Sequence, residues 1–165
     1  MKPVLNYLLV ALLLNVSGLL ATAQEESQIP AAAWEQHPEG VALALMLTKG
    51  IGNDAQSIYL RLYVKNTSDN PVPLMGGPAV FFYLDGSGNT VILANNAEDD
   101  IIENFQRWKV IAPGKIRSTD IEVTTAEVAV IKANTVKCKI LLLDRATHKE
   151  VPVVGSPELL NPQSL

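Results

Sequence analysis

"YLRLYVKNTSDNPVPL", residues 59–74, decides between sheet and helix. Together with Ile58 before it, the first half alternates strictly. Ile58, Leu60, Leu62 and Val64 point one way, and Tyr59, Arg61, Tyr63 and Lys65 point the other. A period of two is the signature of a strand with one buried and one wet face, which belongs in an antiparallel sheet. The second half, "NTSDNP", ends that strand: Asn, Asp and Ser favour turns, and Pro71 and Pro73 cannot donate to a central ladder.

The same period spreads outward from this strand. Upstream, "VALALMLTK" places Val41, Leu43, Leu45 and Leu47 on one face and Ala42, Ala44, Met46 and Thr48 on the other, so this strand is expected to be covered on both sides. A Gly-rich turn, "GIGND", joins the two. Downstream, "AVFFYLDGSGNTVIL" is two apolar runs about a Gly-rich turn, a hairpin signal. "IRSTDIEVTT", "AEVAVIKAN" and "TVKCKILLLD" read as strands, and "EVPVV" returns after the "RATHK" turn. One stretch departs from period two. In "NNAEDDIIENFQRWKV", Ile101, Phe105 and Trp108 recur at i, i+4 and i+7, Asn96 can cap, and Glu98, Asp99 and Asp100 fill the first turn, which predicts one short helical crossover.

Seven to nine short strands with turns between them predict an all-β fold, an antiparallel β-sandwich with Greek-key connections. In "LRLYVKNTSDNPVPL", "VIAPGKIRSTDIEV" and "CKILLLDRATHKEVPV" the chain resembles the immunoglobulin-like and fibronectin-III-like sandwiches of bacterial envelope proteins. The resemblance covers residues 40–154 and implies adhesion, inhibition, assembly or scaffolding without choosing among them. The Cys…Trp…Cys set of antibody domains is absent.

The start of the chain gives an address. "MKPVLNYLLVALLLNVSGLLATAQEES" has a basic Lys2, an apolar run and small residues at Ala21 and Ala23, the order of a secretory signal peptide over residues 1–23. Asn15, Ser17 and Gly18 interrupt a run already short for a membrane span. Residues 24–39 then form a lead-in pinned by Trp34, residues 40–154 the sandwich, and residues 155–165 a proline-broken tail. The expected location is therefore secreted or periplasmic.

Charge narrows the partners. The formal net charge is −4, made one unit more negative by loss of Lys2, and no Lys/Arg cluster is present, so neither nucleic acid nor an anionic membrane is an expected partner. Cys138 is the single cysteine, so no intramolecular disulfide can form. It shares a strand face with Val136, Ile140 and Leu142, which predicts a buried, inert thiol.

Chemistry finds little support in the residues. A nucleophile needs a base and an orienting group; His37 and His148 stand in "EQHPEG" and "RATHKE", a lead-in and a turn, and read as solvated. Asp85, Ser87 and Asn89 resemble the opening of a calcium loop, but Thr90 replaces the needed Gly and Asn96 the needed Glu. Zinc and copper would need clustered Cys, His or Met. No metal and no cofactor is expected. Glu98, Asp99, Asp100 and Glu103 could in principle serve a small hydrolase, although carboxylates are common at a helix start for the dipole alone. Asn66 in "NTS" fits the glycosylation pattern.

The feature that leans toward function is the outward row Tyr59, Arg61, Tyr63, because Tyr and Arg bury large area around a polar tip. The expected function is a non-catalytic domain that binds an envelope or extracellular protein through this face or an unpaired edge strand. One alternative is a protease inhibitor using "NTSDNPVPLMGGP", residues 66–78, as an exposed loop. The other is the acidic-cluster hydrolase.

Overall fold

The alternation at residues 58–65 reappears as a nine-residue strand in a computed structural model that describes residues 29–50, 56–75, 79–93, 108–144 and 146–160. The chain divides into two units, Met1–Ala31 and Ala32–Leu165. Among the described residues, the strands lie in the second. In order they are β1 (Glu35–His37), β2 (Val41–Lys49), β3 (Ile58–Asn66), β4 (Val72–Met75), β5 (Val80–Leu84), β6 (Thr90–Ile92), β7 (Trp108–Ile111) and β8 (Ile116–Val123). Helix α1 (Thr125–Ala133) follows, then β9 (Lys137–Asp144), β10 (Lys149–Gly155) and β11 (Leu159–Leu160). The expected signal peptide lies outside the described residues.

Two sheets form, antiparallel apart from one short parallel pair. In the first, β2 pairs with β3 along its whole length and β3 pairs with β8. The other edge of β2 is shared by β1 at one end and the parallel β11 further along. In the second sheet β9 is central: β10 lines one side, and β5 and β4 share the other, carrying β6 and β7 outward. The core lies between the sheets. Leu43, Leu45, Leu47, Leu60, Leu62, Val64 and Ile121 from the first meet Phe81, Cys138, Ile140, Leu142 and Val153 from the second. All-β architecture in a sandwich is thus what the period of two produces.

Several elements differ from the sequence expectation. "AEVAVIKAN" was expected as a strand and forms α1 instead. Thr124 accepts a hydrogen bond from the Glu127 amide while the Glu127 carboxylate accepts from the Thr124 amide at 2.7 Å, a capping box that satisfies donors left open at a helix start. Ile131 then sits in the core, with Val128 and Val130 packed against it. The helix carries the chain from β8 in one sheet to β9 in the other. The helix expected around residues 96–107 lies outside the described residues, and Trp108, expected as its last apolar position, opens β7. The proline-broken tail is joined to the sandwich through β11, and part of the lead-in is β1. Pro73, expected to be unable to donate to a central ladder, lies within β4, which pairs with β7 and touches β9 at the single pair Leu74 and Leu142.

The turn that closes the opening stretch is built on Asn66. Its side chain is fully buried at the end of β3. The amide nitrogen donates to the carbonyls of Asn70 at 2.7 Å and Ile111 at 2.9 Å, and the amide oxygen accepts from the amide and hydroxyl of Ser68. Both donors and the oxygen are used, so this side chain binds the turn to β7. A glycan on that nitrogen would replace one of the two donors and would have to leave a side chain that is fully buried. The neighbouring Pro113-Gly114 turn, with Gly114 at φ 71°, donates the Gly114 amide to the Asn66 carbonyl, while the Asn66 amide donates to the carbonyl of Lys115. This is a glycine bulge that sets the register of β8 against β3.

Candidate functional site: one face and one edge of the first sheet

On the outer face of β3 the row alternates as expected and its members differ in exposure. Tyr63 is buried at 4% exposure, while Tyr59 and Arg61 are half-buried. Neighbouring β2 contributes Ala42, Ala44, Met46 and Thr48, all buried. Trp34 accounts for one end of that cover. Its ring lies 5.7 Å from the Lys65 ammonium, and Lys65 is registered against Ala42, so the indole reaches across a strand whose side chains are small there.

Arg61 is engaged with β8. Its Nε and Nη2 both donate to Asp120 Oδ2, at 3.0 and 2.8 Å, across a registered pair. The pair is partly exposed and contributes at most about 1 kcal/mol. One step along, Ser57 donates its hydroxyl to Glu122 at 2.5 Å, and Tyr59 faces Glu122 across the strands. The outer side of the β3/β8 pair therefore carries Tyr59, Arg61, Asp120 and Glu122 toward solvent.

The second notable feature is the free edge of β8. The Asn66 bonds show that even-numbered residues of β3 bond toward β8, so through the register the odd-numbered residues of β8 bond back to β3. The amides and carbonyls of Ser118, Asp120 and Glu122 consequently point away from the sheet. Among the described residues no strand pairs with them.

The other edges are blunted. β1 and β11 span three and two residues, and β6 and β7 three and four. β10 is longer, but it holds Pro152, which has no N–H to offer and so faces outward from β9. Among the described residues, only β8 offers a long edge without proline. At its C-terminal end lies an open pocket of about 570 Å³ lined by Ser57, Glu122, Thr124 and Glu127 among others.

A cluster that sequence reasoning did not bring together sits at the rim between the sheets. Glu35 and His37 of β1 face Gly155 of β10, and Gly155 is registered against Cys138. His37 is nine-tenths buried rather than solvated, its Nε2 3.5 Å from Glu35 Oε1 and without a hydrogen bond. Glu35 Oε2 accepts from the Ser156 amide at 2.7 Å. A Cys, a His and a Glu in one place suggest nucleophilic chemistry, but the thiol is in the wrong state for it. Burial first, and the Glu35 charge second, push Cys138 up to about 12, so it stays protonated at neutral pH. Among the described residues no three His, Cys, Asp or Glu side chains are grouped to hold a metal.

The remaining sequence candidates have structural duties or lie elsewhere. Asp85 caps its own hairpin, accepting from the amides of Ser87 and Asn89 and from the Asn89 side chain, and these bonds hold its carboxyl below the usual range. Within the stretch named as an inhibitor loop, residues 66–70 are tied by the Asn66 network and 72–75 are paired as β4. Glu98, Asp99, Asp100 and Glu103 lie outside the described residues. His148 occupies the β9–β10 turn at φ 52°. Among the described residues no helix is long and apolar enough to cross a membrane. The large exposed hydrophobics, Val80, Leu84, Ile92, Val110 and Val154, all project from the outer face of the second sheet.

No protein-family model matches the chain, and no curated protein matches it. Two solved structures show a partial likeness. The X-ray structure of Northeast Structural Genomics Consortium target SoR45 aligns at a TM-score of 0.40 and 10% identity, over 76% of this chain and 88% of that one. The putative ApaA protein from Bordetella pertussis aligns at 0.38 and 11%, over 81% and 99%. Likeness at this level carries no inference about function.

Proposed function

We propose that this chain is a non-catalytic binding domain of the secreted or periplasmic space that takes hold of another envelope or extracellular protein by strand addition at β8. The observation that carries this reading is the edge itself: eight residues long, proline-free, and unpaired among the described residues, where every other edge is short or interrupted. Main-chain groups on such an edge supply affinity, and side chains beside it supply choice of partner. On the outer face an added strand would first meet Ser118, Asp120 and Glu122 of β8, with Arg61 and Tyr59 of β3 registered against Asp120 and Glu122 one strand further in. The address is supported by the leader-like start, and the non-catalytic reading by the buried, protonated Cys138, which removes the one thiol nucleophile beside His37 and Glu35.

Ser118→Pro is the test. It removes an outward N–H while leaving the bonds to β3 intact. Full chain and variant are compared in pull-downs from envelope extract, after matched melting curves show both folded. A partner held by the wild type and lost by the variant supports the reading. Equal capture by both refutes it.

A further inference from the structure

The side chains along this edge restrict what can bind there. From the strand-addition reading and the charge pattern of β8, we infer that the occupant is an extended segment in which basic residues alternate with apolar ones. A strand laid beside β8 shares its faces residue by residue. On the outer face it would stand opposite Ser118, Asp120 and Glu122, and on the inner face opposite Thr119, Ile121 and Val123. Ile121 and Val123 are core residues at the margin of the sandwich, and an apolar side chain beside them extends that core.

The outer positions favour cations. Asp120 is exposed and shares one oxygen with Arg61, while Glu122 is exposed and accepts from the Ser57 hydroxyl, a neutral group. A like charge laid opposite them would be repelled, and a lysine or arginine attracted. The charge bias continues past the strand end, where Glu122 and Glu127 line the pocket and no Lys or Arg does. Arg117, the one basic residue of β8, lies at its other end and on the opposite face. Of the outer side chains along the edge, Glu122 thus carries the acidic character, with Asp120 beside it already paired to Arg61.

Three short peptides serve as probes, alternating valine with lysine, with serine and with glutamate, titrated into the full isotope-labelled chain and followed by amide shifts. The valine–lysine peptide is expected to bind best, to shift residues 116–123, and to weaken as salt is raised. Glu122→Gln should weaken it by about threefold to fivefold, the effect of one exposed charge pair, and Ser118→Pro should abolish it.

Equal binding of the serine or glutamate peptide overturns the basic preference while leaving strand addition standing. Binding of the lysine peptide to Ser118→Pro as tightly as to wild type overturns both. If no peptide binds while extract still yields a partner that Ser118→Pro loses, the partner chemistry inferred here is wrong and the binding function survives.

Discussion

Asn66 illustrates how one polar residue can hold a turn from inside. An asparagine at a strand end in "NTSDNP" reads as solvated turn chemistry, yet its side chain is the most enclosed polar group of the sandwich that the structure describes. What the residue does there follows from counting: two N–H donors and one carbonyl, all matched by Asn70, Ile111 and Ser68. Asn66→Ala removes the donor to a buried carbonyl of β7 and is expected to lower stability by about 2–4 kcal/mol, since each stranded buried group costs about 1–3 kcal/mol. Asn66→Asp should be at least as harmful. It retains the acceptor for Ser68 but sets a carboxylate oxygen against the Ile111 carbonyl. Urea midpoints at neutral pH check both, and a variant within 0.5 kcal/mol of wild type, roughly the scatter of a surface change, would remove Asn66 from this role.

At the scale of elements, strict alternation gave reliable strands, and one element shows where that reasoning fails. In "AEVAVIKAN" the valines alternate, but Val128 and Ile131 also stand three apart, and a run this short satisfies both periods. The deciding signal began just before it, at Thr124, and ended on Glu127 three residues on, the spacing of a capping box. Thr124→Ala should therefore cost about 1 kcal/mol, while Glu127→Gln, which preserves the box, should cost less; thermal melts of the two variants give the comparison. The candidate site divides in the same way. The faces of β3 and β8 were legible because parity depends only on neighbours in sequence. That β8 has no outer neighbour among the described residues, and that Tyr63 is buried while Tyr59 is half-buried, depends on which strands lie alongside, and no local pattern encodes that. Glu35, His37 and Cys138 meet for the same reason, because β1 of one sheet packs against Gly155, the register partner of Cys138, in the other.

The whole molecule closes at that rim, where the chain leaves β10 of one sheet for β11 of the other and Glu35 holds the Ser156 amide at the crossing. Cys138 lies on the inner face beneath it, fully buried, and reports on whether the rim is shut. Its thiol titrates near 9.0 in an open chain and is pushed up to about 12 in the folded one. Below pH 9 both states hold the proton and the thiol adds no pH dependence. Above it the unfolded chain gives up a proton that the folded chain retains, so stability falls as pH rises, by about 1.4 kcal/mol per pH unit until the folded value is reached. Lysines titrate in the same range, so the measurement is a difference: urea unfolding of wild type and Cys138→Ala from pH 8 to pH 10.5. Cys138→Ala should begin less stable, because it removes packed volume from the core, and the gap should narrow by about 2 kcal/mol across the series. A gap that stays constant would mean that the thiol reaches water in the folded state, and with it that the two sheets are not sealed where Glu35, Gly155 and Ser156 meet.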